Sequence, residues 1–79
     1  MTDGEAQRAI EMAVAELPAI VPLGAAADFL GVSTRTLRRY ASRGRIRFLR
    51  TGARGGVVRV LREDLKRLLV RMLEPCPFD

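Results

Sequence analysis

Histidine and tryptophan are missing from this 79-residue chain, and cysteine occurs once, at position 76. A single thiol forms no intramolecular disulfide, and without histidine no Cys/His cluster is available to hold zinc. A nucleophile with a nitrogen base, the usual machinery of hydrolases, is missing for the same reason. Gly52, Gly55 and Gly56 lack the lysine and following helix of a phosphate-binding loop. These absences argue against an enzyme, and no metal or cofactor is expected. Long apolar runs are lacking too. The stretch 13–30 is broken by Glu16, Pro18, Pro22 and Asp28, which excludes a membrane span. The first seven residues carry Asp3 and Glu5 and no base, unlike a secretory signal. A reducing, cytoplasmic setting is expected. At this length there is room for one small domain, which buries roughly 60% of its unfolded surface, and none for a separate effector-binding domain.

Acid is absent where base is densest. Residues 1–34 hold one arginine against five acids (net −4), 35–62 hold ten arginines and no acid (+10), and 63–79 hold three bases against four acids (−1). A charge run is often just a solvated face, but this one has no interleaved acid for i,i+4 pairing and consists wholly of arginine. Solubility would be served equally by lysine, whereas the planar guanidinium fork matches phosphates and guanine O6/N7. Double-stranded DNA is the leading partner. A protein-interaction module with a basic face for an acidic partner is the competing class.

The spacing predicts an amphipathic helix from Asp3 to Leu17, capped by Thr2 or Asp3 and ended by Pro18, with Ala6, Ile10, Ala13, Val14 and Leu17 on one stripe. Pro18 to Pro22 reads as an extended connector, because two prolines four apart forbid a regular helix. A short helix from Leu23 to Leu30 stops at Gly31. Ser33 caps the next, from Thr34 to Ser42 or Arg43, which Gly44 closes. Ile46–Arg50 and Val57–Leu61 flank a turn-like Thr51–Gly56 and read as a β-hairpin, and a last helix runs from Arg62 to Leu73 with Leu65, Leu68, Leu69 and Met72 on one face.

Helix, tight turn, helix, hairpin, helix is the order of a winged helix-turn-helix, so the expected fold is mainly α with a small β-hairpin and an extra N-terminal helix. The predicted division is an N-terminal helix at 1–18, the DNA-binding domain at 19–73 and a flexible tail at 74–79. Two helices crossing closely through a short turn need a small residue at the crossing, a left-handed turn residue and apolar inner faces. Ala27, Gly31, and the set Ala26, Leu30, Val32, Leu37 and Tyr40 supply these in register. Burying Leu37 and Tyr40 turns Thr34, Arg35, Arg38 and Arg39 outward at about 100° per residue. Arg35, Arg38 and Arg39 are therefore assigned to groove and base contacts, and Ser33 and Thr34 to phosphate or base. Tyr40 is read as core, with a hydroxyl–phosphate contact as the alternative. Arg43 completes the helix's basic set. On the wing, Arg54 at the tip suits minor-groove insertion, with Arg47, Arg50 and Arg59 on the strands.

The stretch Leu23-Gly-Ala-Ala-Ala-Asp-Phe-Leu-Gly-Val-Ser-Thr-Arg-Thr-Leu-Arg-Arg-Tyr40, followed by Arg43-Gly-Arg-Ile46, resembles the DNA-binding domain shared by MerR-type regulators and excisionases of phages and integrative elements. The likeness spans about residues 22–71, and Gly31–Arg38 is a fairly specific match within it. MerR-type wings continue with an aromatic-Arg-x-aromatic pattern, where this chain has Val57, Val58, Arg59 and Val60. Val58-Arg-Val-Leu-Arg-Glu-Asp-Leu65 is closer to the excisionase pattern, and the long dimerisation helix of MerR-type proteins has no counterpart. The resemblance implies a recombination directionality factor: several copies bind near an attachment site, bend the DNA and help a separate integrase excise a mobile element. It implies no small-molecule effector. A stand-alone MerR-like transcriptional regulator is the alternative. The N-terminal helix is expected to cover the small core, or else to contact a neighbouring protomer in a cooperative homo-oligomer on DNA.

Overall fold

The computed structural model describes residues 2–52 and 56–73; Arg54 and the tail with Cys76 lie outside the described residues. Helix α1 spans Asp3–Ala15, and Thr2 Oγ1 accepts from the Glu5 amide at 3.2 Å as its cap. It ends two residues before the expected Leu17. A residue preceding proline is disfavoured in the α region, and the chain leaves the helix through a tightened turn, with the Leu17 amide donating to the Val14 carbonyl at 2.9 Å.

The expected connector is more than extended. Ile20–Pro22 forms strand β1, antiparallel to β3 (Val57–Leu61), which also pairs with β2 (Leu49–Thr51) in the order β1-β3-β2. The sheet thus has three strands where a two-stranded hairpin was expected. Pro22 is tolerated because β1 is an edge strand, where a missing N–H breaks no ladder bond. Strand β2 starts three residues later than predicted. Ile46 turns into the core at 4% exposure, and the Arg47 amide donates to a side-chain carboxylate instead of to a strand partner.

Helices α2 (Leu23–Leu30) and α3 (Thr34–Ser42) form the helix-turn-helix. Gly31 sits between them at φ 74°, ψ 27°, a left-handed conformation that a side chain at this turn would strain. Ala27, 2% exposed, keeps the crossing close. Helix α4 (Arg62–Arg71) packs against α1 and β3 and stops two residues short of the expected Leu73. Among the described residues, no helix is long and apolar enough to cross a membrane.

The core gathers residues from β1, α2, α3, β3 and α4 and from the loop after α3: Val21, Ala26, Ala27, Leu37, Ile46, Val60, Leu65 and Leu68. Leu30, Val32 and Tyr40, expected inside, are half-buried and pack on its margin. Leu69 is likewise half-buried, and Met72 is exposed. On α1 the stripe is narrower than predicted. Val14 is buried, Ala6, Ile10 and Leu17 are half-buried, and Ala13 is exposed, because α1 meets chiefly one neighbour, α4. Arg62 joins the two ends of the fold: its amide donates to the Ala19 carbonyl at 2.9 Å and its side chain to the Leu17 carbonyl at 3.0 Å. The architecture is a winged helix-turn-helix, mostly helical, with a small sheet at its side.

Candidate nucleic-acid interface

Helix α3 is built to show one face outward. Ser33 Oγ accepts from the Thr36 amide at 3.1 Å and also donates to Thr36 Oγ1, which fixes where the helix begins. Leu37, with no exposed surface, fixes its rotation. Fully burying a leucine is worth about 1.5–3 kcal/mol, so turning the helix to expose it carries a matching cost. With that orientation set, Thr34, Arg35, Arg38, Arg39 and Ser42 are all exposed on the side away from the core. Ser42 Oγ donates back to the Arg39 carbonyl at 2.9 Å. No acid occurs in α3, and among the described residues none of its three arginines has a salt-bridge partner.

The helix closes at Arg43, which is exposed, and Gly44 (φ 73°) reverses the chain, letting the Arg45 amide reach the Tyr40 carbonyl at 2.9 Å. Tyr40 packs its half-buried ring against the core, and the Arg45 guanidinium lies 5.9 Å from the ring centroid.

The wing arginines part company. Partners across an antiparallel ladder share a face. Arg50 pairs with Val58, and so stands on the face that continues through Val60 and Val21 into the core. Arg59 pairs with Leu49 and Pro22 on the opposite face, where it donates to Thr51 Oγ1 at 3.5 Å. Arg50 is exposed and Arg59 half-buried. Arg50 and Arg59, two of the four arginines assigned to the wing, therefore address different sides of the sheet, and Arg54 lies outside the described residues.

Arg47 lies before the strand rather than on it, and it is occupied. Its Nη2 donates to Asp64 Oδ1 at 2.8 Å, its Nε to Oδ2 at 3.0 Å, and its amide to Oδ2 at 3.2 Å. Asp64 is 5% exposed while the Arg47 side chain is 71% exposed, so a buried carboxylate holds a surface guanidinium from behind. The hydrogen bonds from Arg47 hold the Asp64 carboxyl below the ordinary carboxylate range against the opposing effect of burial, and the Arg47 pKa is raised in return. Asp64 thereby pins the link after α3 to the first turn of α4. The sequence places Asp64 in the charge balance and at the helix start of the excisionase-like run 58–65, but gives it no partner. Its partner is 17 positions away, beyond any local periodicity.

Residues 23–71 match the helix-turn-helix domain family. Over 43 residues the chain is 49% identical to a protein named excisionase from Mycobacterium phage D29, an overlap of 54% of this chain and 73% of that one. No solved structure matches it significantly. Helix α1 and strand β1 both precede the family match.

Proposed function

The chain belongs to the excisionase branch of the helix-turn-helix domain family and is a DNA-binding protein; we propose that it acts as a recombination directionality factor, bending an attachment site so that a separate integrase excises a mobile element. The supporting observation is the single outward face of α3, on which Arg35, Arg38 and Arg39 stand together because Leu37 is buried. A helix of nine residues is roughly 13 Å long, and the major groove is about 12 Å wide. The three guanidinium groups would read base edges, with Thr34 and Arg43 toward the backbone. Ser33 acts chiefly as the cap that positions them. Arg50 and Arg54 extend the contact along the wing. The protein does no chemistry in this reading; binding energy alone shapes the DNA. Bending a site of 20–30 base pairs costs of order 1–6 kcal/mol, which phosphate contacts by several copies would offset. The working location is the cytoplasm, at the nucleoid. Residues 1–18 serve as an added helix, and 19–73 as the DNA-binding unit.

Footprinting and circular-permutation gel shifts on DNA flanking the gene, paired with an excision assay using the neighbouring integrase, test this. Expected results are a multi-site footprint, a bend, and excision that depends on the protein. The substitutions R35Q, R38Q and R39Q combined should abolish the footprint while leaving the fold intact by circular dichroism. Unchanged duplex affinity in that variant refutes the α3 assignment. A footprint confined to a promoter, with excision indifferent to the protein, moves the function to transcriptional regulation.

A further inference from the structure

A second basic feature lies outside the face of α3. The loop after α3 and the outer side of α4 enclose an open cleft of about 170 Å³, lined by Arg45, Arg47, Arg67 and Arg71 with Gly44, Ile46 and Asp64. Four guanidinium groups against one carboxylate leave this cleft at +3. Both oxygens of Asp64 are taken by Arg47, so its charge is already spent. Arg45, Arg67 and Arg71 are exposed, and among the described residues none has a salt-bridge partner. Arg67 also feels the Asp64 carboxylate at a distance, yet three like charges gathered around one concavity still repel each other. Arg45 is steered there by the Gly44 reversal and held over the Tyr40 ring. Arg67 and Arg71, one helical turn apart, lie on one side of α4.

We propose that this cleft is a phosphate site, and that the phosphate it takes is a DNA backbone phosphodiester beside the groove occupied by α3; the second half of the statement rests on the function proposed above. Two observations favour phosphate over a carboxylate. One arginine satisfies one carboxylate here, as Arg47 does for Asp64, whereas three guanidinium groups match the several oxygens of a phosphate from different directions. The cleft also begins one residue past the C-cap of α3, at Gly44, and a helix spanning the major groove ends close to a backbone. A backbone clamp on α4 would set how deeply and at what angle α3 enters, without reading sequence itself.

The test uses the full chain and the R67Q/R71Q variant, with R45Q as a second probe. Inorganic phosphate titrated against chloride at equal ionic strength, followed by NMR of the arginine side chains, should shift the Arg45, Arg67 and Arg71 signals in the wild type only. On DNA, the slope of log K against log salt should fall by about 0.9 for the lost phosphate. Specific and non-specific duplexes should weaken by the same factor, whereas R38Q should change their ratio. A methylphosphonate placed at successive backbone positions should weaken the wild type at one position and leave R67Q/R71Q indifferent there. No phosphate-specific shift together with an unchanged slope overturns the proposal. A phosphate shift with an unchanged slope overturns its DNA half and leaves a site for free phosphate. Failure of the wild type to bind any duplex refutes the function proposed above, and the phosphate titration then still decides the cleft.

Discussion

Replacing Asp64 by asparagine keeps the side chain's shape and removes its charge. The carboxylate accepts three hydrogen bonds from Arg47, two from the guanidinium and one from the backbone. An amide offers a single oxygen and brings an NH2 group up against donors. Hydrogen bonds to charged groups are worth about 1.5–3 kcal/mol. Because the Arg47 side chain is largely exposed and water replaces much of what it loses, we take this range for the whole cluster and not for each bond. A chain of 79 residues has about 4–12 kcal/mol of stability in total, so the loss is a large fraction. With a urea m-value of about 1 kcal/mol/M, the midpoint should fall by about 1.5–3 M at pH 7. The pH dependence identifies the cause. The folded-state pKa of Asp64 is lowered by Arg47, so its contribution is complete above the unfolded value of about 3.9. It disappears as pH falls from there through the folded-state value. The gap between wild type and D64N should therefore be constant from pH 7 to about 5 and close below about 4, measured in urea at fixed ionic strength. A gap of equal size at pH 3 would mean that packing, and not the carboxylate charge, carries the effect. No gap at pH 7 would mean that the cluster contributes nothing to stability.

The opposite faces of Arg50 and Arg59 separate their roles. R50Q should weaken DNA binding several-fold in gel shifts, while R59Q should leave affinity within about twofold; equal losses would contradict the register argument. A chain beginning at Pro18 lacks Val14, which is 3% exposed, and Leu17, which packs on the core. Its thermal midpoint should drop by several degrees, since 1 kcal/mol corresponds to about 4–8 °C in a domain of this size. Full stability combined with loss of cooperative DNA binding would instead assign α1 to a neighbouring protomer.

The helix-turn-helix was legible because its signals are local. A cap at Ser33, a left-handed Gly31 and apolar residues at helical spacing lie within about one turn of each other, and each fixes φ/ψ or burial by itself. Strand β1 was hidden for the converse reason. Ile20–Pro22 is too short to carry a period, and what makes it a strand is β3, whose Val60 pairs with Val21. The same limit applies to the arginines. Composition counts ten of them in residues 35–62 but is silent on which one a distant carboxylate has claimed, and alternation along a hairpin assigns faces only once the register is known. Arg67 and Arg71 count in the sequence only as charges balanced by Glu63, Asp64, Glu74 and Asp79, whereas in the fold they stand with Arg45.

The clasp between Arg62 and the Leu17 and Ala19 carbonyls has a bearing on how the chain assembles. Its side-chain bond joins residues 45 positions apart, and closing a flexible loop of that length costs about 3 kcal/mol plus a constant. Helices α2 and α3 emerge from a ribosome well before Leu61, so they are free to meet while Ile20–Pro22 still waits for the strand it will pair with. The last part of the wing to be synthesised is the part that recruits the front of the molecule.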